Sequence, residues 1–224
     1  MNLKAILNLF GILLVLFSVS FMIPIGVSLL YKDTSLNIFI TTFLVVAFLG
    51  LSFWYFSKGH KQELNTNDGF IIITLFWLVL ALAGSIPFFL SGMTPIDSFF
   101  EAMSGITTTG ATVITNISSL DESLLIYRQL LQWMGGMGLI VLAIAVMPIL
   151  GIGGGQLYKA DIPGAMNDQK LTPRITETAK ALWIIYFGLT VLCAALYWLA
   201  GMNTFDAIAP VSYTHLTLPT ILLV

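Results

Sequence analysis

Ile106-Thr107-Thr108-Thr109-Gly110-Ala111-Thr112-Val113 sets four threonines and a glycine between long apolar runs. Irregular backbone survives at membrane depth only where protein buries it or where it lines a watery cavity. Carbonyl and hydroxyl oxygens in such a stretch can replace the water around a dehydrated cation with no charged side chain. Gly110 supplies the positive φ that lets the chain turn its carbonyls toward one axis. Taken alone, the same residues also read as a Thr-rich turn whose hydroxyls cap the next helix. The flanking sequence decides between the two.

Upstream, Thr94-Pro95-Ile96-Asp97 reads as a helix start, with Thr as N-cap, Pro at the first helical position and Asp at the third. The helix is expected over 96–105, too short for about 30 Å of hydrocarbon. A short helix followed by extended chain, set between full spans, reads as a re-entrant pore helix and filter. The helix C-terminus carries about half a negative charge from its aligned peptides, which favours a cation nearby.

The rest of the chain supplies those spans. Of its 224 residues 58% are hydrophobic and 9% charged, a balance that excludes a soluble domain and implies a polytopic membrane protein. A net charge of -2 gives no sign of nucleic-acid binding. Cys193 stands alone in an apolar run and reads as a small hydrophobe. Full spans are expected at 6–30, 36–56, 69–90, 124–150 and 179–200. Pro24 is expected to bend the first and Pro87 the third. The first apolar run is too long for a signal-peptide core and lacks a small-residue cleavage site, so it reads as a retained span. Gly135, Gly136 and Gly138 in the fourth allow close helix approach or a hinge.

The basic residues set the orientation. With the N-terminus inside, Lys4, Lys58, Lys61, Lys159, Lys170, Arg174 and Lys180 fall on the cytoplasmic side, and only Lys32 and Arg128 outside. That places the short helix and the Thr-Gly stretch toward the outer face. Leu90-Ser91-Gly92-Met93-Thr94-Pro95-Ile96-Asp97 returns 109 residues later as Leu199-Ala200-Gly201-Met202-Asn203-Thr204-Phe205-Asp206. Each copy ends a span and opens a short helix, the pattern of a repeated pore unit. At the same offset, Thr107-Thr108-Thr109-Gly110 meets Leu216-Thr217-Leu218-Pro219, where proline cannot take glycine's positive φ.

Other chemistry is weak. Asp97 and Glu101, four apart, share a helix face, but they read as negative charge drawing cations to a pore mouth rather than as a catalytic pair. Arg128 is expected to snorkel to the interface. His60 and His215 are isolated and suggest no metal site. Gly151-Ile152-Gly153-Gly154-Gly155 follows a span rather than a strand and lacks the Gly-Lys-Ser/Thr of a phosphate loop. No protease or hydrolase pattern appears, so no enzyme activity is expected.

Several stretches together resemble the Trk/Ktr potassium-uptake family, specifically its TrkH-like pore subunits. They are Phe99-Phe100-Glu101-Ala102-Met103-Ser104-Gly105-Ile106-Thr107-Thr108-Thr109-Gly110-Ala111-Thr112, Gln132-Trp133-Met134-Gly135-Gly136-Met137-Gly138, Gly151-Ile152-Gly153-Gly154 with Gln156-Leu157-Tyr158, and Lys170-Leu171-Thr172-Pro173-Arg174-Ile175. The resemblance implies an all-α membrane protein built from repeated span–pore helix–filter–span units, as in potassium channels. Here that means one complete unit and the start of a second. The organisation it implies is a helix pair at 1–61, a first unit at 62–150, a cytoplasmic loop at 151–178, the start of a second unit at 179–209 and an atypical tail at 210–224. The implied ligands of K+ are Thr107, Thr108, Thr109, Gly110 and Ala111, with Thr108 and Thr109 most central and no organic cofactor. The resemblance further implies a bacterial cytoplasmic (inner) membrane location, a homodimer in membrane lipid and a cytosolic TrkA-like nucleotide-binding regulatory subunit. After Ala209 the sequence departs from the family pattern, so the chain is expected to be a truncated pore, inactive by itself. The alternative reading is a secondary transporter or membrane scaffold whose Thr-Gly break binds something other than an ion.

Overall fold

The computed structural model describes residues 3–57, 66–149 and 171–202. Among them the chain is helical: α1 (Leu3–Ser20), α2 (Met22–Tyr31), α3 (Leu36–Ser57), α4 (Thr66–Leu90), α5 (Pro95–Ile106), α6 (Glu122–Ile149) and α7 (Leu171–Leu199), with a 3-10 turn at Ile117–Ser119. Three described stretches are long and apolar enough to cross a membrane: Ile6–Tyr31, Leu36–Ser57 and Lys180–Leu199. Thr74–Leu90 is a shorter apolar helix. Five full spans were expected, and the other two, at 69–90 and 124–150, correspond to α4 and α6. α4 has 25 residues and contains the whole of 69–90. α6 has 28 residues and contains 124–149.

The chain forms two compact units, divided between Gly135 and Gly136. In the first, α1 and α2 are one apolar run broken at Phe21. Pro24 offers no amide to the carbonyl of Ser20, four residues back, and its ring crowds that oxygen. The break therefore falls one turn before the proline, and the helix resumes where the Ile25 amide bonds the Phe21 carbonyl at 3.1 Å. α1 packs on α3 backbone to backbone. A methyl group on Gly11 would lie 2.5 Å from the Trp54 nitrogen, and one on Gly50 would lie 2.8 Å from the Val15 nitrogen. No larger residue fits that crossing without parting the helices.

The core of this unit gathers on Tyr127, which is fully buried. Phe21, Phe39 and Phe88 place their rings 5.3–5.6 Å from its ring, the spacing at which aromatic pairs attract beyond simple burial. The phenol donates to the Gly84 carbonyl at 2.7 Å, so its one polar atom is satisfied. Tyr127 thus ties the N-terminal hairpin, α4 and α6 together.

A second tie lies outside the spans. The Asp33 carboxylate, in the loop before α3, accepts from the Ser28 hydroxyl, the Ser35 amide (3.2 Å) and the Ser123 amide in the first turn of α6 (3.1 Å). Asp121, at the start of α6, accepts in return from the hydroxyls of Thr34 (2.8 Å) and Ser35 (2.6 Å). Burial raises the Asp33 pKa, but the hydrogen bonds from Ser28, Ser123 and Ser35 outweigh it and hold the carboxyl below its ordinary 3.8.

The second unit is described chiefly by α7, whose large apolar side chains are mostly exposed, as on a helix facing lipid. α7 and α4 end alike. Gly92 (φ +100) and Gly201 (φ +93) take the left-handed conformation. In each case the next residue's amide reaches five residues back, Met93 to Phe88 and Met202 to Tyr197, both at 3.2 Å. These are matching Schellman caps, so the first half of the 109-residue repeat is a structural repeat. The expected second short helix, the atypical tail and the glycine run after α6 lie outside the described residues.

Candidate ion-filter site

α5 starts as its sequence requires. Thr94 is the N-cap and accepts from the Asp97 amide at 3.2 Å, while its hydroxyl donates to the Asp97 carboxylate at 2.7 Å. Pro95 occupies the first turn, where a missing amide costs nothing. The helix runs 12 residues, two longer than the sequence reading, and rises about 18 Å. It falls well short of a bilayer, as expected. Its buried face carries Ser98, Glu101, Ala102, Gly105 and Ile106.

The Thr-Gly stretch turns its amides back onto this helix. Thr107 donates to Met103 (3.0 Å), Thr108 to Gly105 (2.9 Å), and Thr109 and Gly110 both to Ser104 (2.9 and 3.4 Å). Thr108 takes φ +58 and Gly110 φ +76. Gly110 was expected in that region, but Thr108 was not. A β-branched residue there costs about 1 kcal/mol or more, strain of the kind that collects at functional sites. The consequence is an asymmetry: four successive amides are spent on α5, and among the described residues no hydrogen bond reaches the carbonyls of Thr107, Thr108, Thr109 or Gly110. The Ala111 carbonyl differs, because it accepts from the Ser104 hydroxyl at 2.6 Å. The hydroxyls of Thr107 and Thr109 lie 2.8 Å apart.

The structure corrects two readings. Glu101 does not stand at an open mouth. It is 3% exposed and pairs with Arg128, whose Nε lies 3.0 Å from Oε2. Arg128 is 7% exposed and does not reach for the interface. Burial of either charge alone would be costly, so each holds the other in place. The other carboxylate oxygen of Glu101 accepts from the Thr112 hydroxyl (2.5 Å) and the Val113 amide (2.7 Å). The i, i+4 spacing of Asp97 and Glu101 hid this arrangement, since the partner of Glu101 lies on α6, 27 positions away.

Gly135 is a close-approach glycine. A methyl group there would lie 2.0 Å from the Ile106 carbonyl oxygen. α6 therefore touches the backbone directly at the residue that opens the Thr-Gly stretch. Among the described residues no cluster of His, Cys, Asp and Glu is placed to hold a resident metal.

Residues 34–214 match the TrkH family, described as cation transport proteins. The chain is 53% identical to the Trk system potassium uptake protein TrkH of Vibrio parahaemolyticus over 212 residues, covering 93% of this chain and 44% of that protein. It is 45% identical to the Trk system potassium uptake protein TrkG of Escherichia coli K12, covering 92% of this chain and 43% of that protein. The crystal structure of the potassium transporter TrkH from Vibrio parahaemolyticus superposes with a TM-score of 0.82 at 48% identity, covering 95% of this chain and 42% of that one. The chain thus spans less than half the length of these relatives.

Proposed function

Because this chain belongs to the TrkH family of cation transport proteins, we propose that it supplies part of a channel-like pore for potassium uptake, with 107–111 as one strand of the ion filter. The observation that carries this reading is the run of four carbonyls, Thr107 to Gly110, left without a partner among the described residues where the amides fold back onto a helix too short to span. Carbonyls in this state are what a dehydrated cation requires, and a single strand covers one side of it. Thr108 and Thr109 sit at the middle of the run. The Ala111 carbonyl, already engaged by Ser104, is the weakest ligand of the five. Of the two acids expected to draw cations to the mouth, Asp97 is left for that role, Glu101 being neutralised by Arg128.

The test uses a complete transport subunit in which residues 1–209 replace the matching part of the Vibrio parahaemolyticus protein, expressed in a strain without potassium uptake systems. Gly110→Ser constrains φ and adds bulk in the filter. It is expected to lower the preference for potassium over sodium by about tenfold or more, on the scale of one displaced ligand. Unchanged uptake and selectivity would remove Gly110 from the filter.

The bias of basic residues supports an inner-membrane orientation with the N-terminus in the cytoplasm and 116–122 outside. A cysteine introduced at Ser119 is expected to react with an impermeant thiol reagent in intact cells. Protection there, with labelling only after lysis, would reverse the orientation. The resemblance to the Trk system extends the proposal to a homodimer that works with a cytosolic TrkA-like subunit.

A further inference from the structure

Glu101 and Arg128 hold more of the filter than their burial alone requires. The strand that follows α5 is anchored twice. Its first half is fixed by the amides of Thr107 to Gly110 on the last turn of α5. Its second half is fixed by Glu101, whose Oε1 takes both the Thr112 hydroxyl at 2.5 Å and the Val113 amide at 2.7 Å. Between the two, Ser104 holds the Ala111 carbonyl at 2.6 Å. Only the second anchor reaches another long helix, through Arg128 Nε at 3.0 Å. Beside it lies a small cavity, with room for about one water molecule, lined by Glu101, Ser104, Gly105, Ala111, Arg128 and Gln132. Gln132 is 2% exposed and its Oε1 has no hydrogen-bond partner among the described residues. The space beside the strand is therefore polar and joined to the ion pair.

We infer that Glu101 and Arg128 are positioning residues for the filter: the ion pair clamps the outer half of the Thr-Gly strand to α6 and so sets the spacing of the carbonyls that select the ion. The inference rests on the pore reading above. The pair acts through geometry and not by attracting cations, since its two charges cancel. A buried ion pair is weak evidence for added stability, whereas a carboxylate gripping two adjacent residues of a strand restricts where that strand can lie. The contact is made by Arg128 Nε, and a glutamine at 128 carries its terminal polar atom at that same point of the side chain. A neutral Gln–Gln pair can therefore keep the grip without either charge: Gln at 101 accepts from Thr112 and Val113 through its oxygen and donates to the amide oxygen at 128.

This gives a test in the complete subunit described above, reading potassium KM, maximal rate and potassium-over-sodium discrimination beside the amount of protein in the membrane. Glu101→Gln and Arg128→Gln singly are expected to raise KM and erode discrimination by about tenfold, the equivalent of one charge-assisted hydrogen bond. The double substitution is expected to recover most of that loss. Thr112→Val removes one of the gripped groups while both charges remain, and is expected to shift KM by about threefold, a fraction of a hydrogen bond's worth. If the single variants fail to reach the membrane, Thr112→Val decides the matter: a raised KM supports the clamp and an unchanged KM overturns it. Variants that lower only the amount of protein, with KM and discrimination as in the parent, also overturn it. Altered selectivity in Gly110→Ser with none in Thr112→Val sinks the clamp alone, whereas no change in either sinks the pore reading and the clamp with it.

Discussion

Gly135→Ala is expected to prevent α6 from seating against α5 and to cost the complete subunit about 3 kcal/mol or more, the upper end for an overpacked site. The added methyl carbon would lie 2.0 Å from the carbonyl oxygen of Ile106 and 2.6 Å from its carbonyl carbon. Both are backbone atoms, so no rotamer change relieves the clash. Either α6 retreats, taking Arg128 away from Glu101, or the end of α5 shifts and takes the Thr-Gly strand with it. Gly84→Ala is the matched control. There the new methyl group meets the Tyr127 hydroxyl at 3.4 Å and Ala102 at 3.6 Å, ordinary contact distances, and alanine is favoured over glycine inside a helix by about 1 kcal/mol. Thermal unfolding in detergent, with potassium uptake measured alongside, reads both variants. The Gly135 change is expected to lower the melting temperature and abolish uptake, and the Gly84 change to leave both near the parent. A Gly135→Ala protein that melts and transports like the parent would show that the two helices are not in backbone contact there.

Asp33→Ala is expected to loosen the N-terminal hairpin from α6 by about 1–2 kcal/mol, the range for loss of an acidic helix cap. The carboxylate of Asp33 bonds the Ser123 amide across 90 positions of sequence, so the loss falls on a tertiary contact. The Asp33 pKa is held below 3.8 in the folded protein. A depressed carboxyl pKa contributes stability that is present above the unfolded value and is lost as the pH falls through the folded one. The parent is therefore expected to lose this contribution as the pH falls from about 4, the ordinary range of an aspartate in the unfolded chain, through the lower pKa of the folded carboxyl. The Asp33→Ala protein should lack that part of the acid response. Hydrogen-exchange protection of the Ser123 amide, taken relative to the intrinsic rate at the same pH, follows the contact directly, with lower protection expected in the variant at neutral pH and in the parent only in acid. Equal protection of Ser123 in both proteins at neutral pH would remove Asp33 as its partner.

Much of this protein is legible along the chain because the governing forces are local. Apolar runs of span length report a membrane environment from composition alone. Thr94, Pro95 and Asp97 start α5 within three residues of one another, and Gly110 takes its positive φ as glycine permits. The caps at Gly92 and Gly201 repeat because the same few residues recur 109 positions apart. Only tertiary structure decided the rest. Thr108 adopts a conformation threonine avoids, because the amides around it close the last turn of α5. Glu101 is a strand anchor rather than a charge at a mouth, because Arg128 arrives on α6 to neutralise it. Gly135 matters through the carbonyl of Ile106, which sequence spacing does not place beside it. In each case the deciding partner comes from a distant part of the chain or from a whole turn acting together. A buried charge, a strained φ and a missing side chain acquire their meaning only from the atoms packed against them.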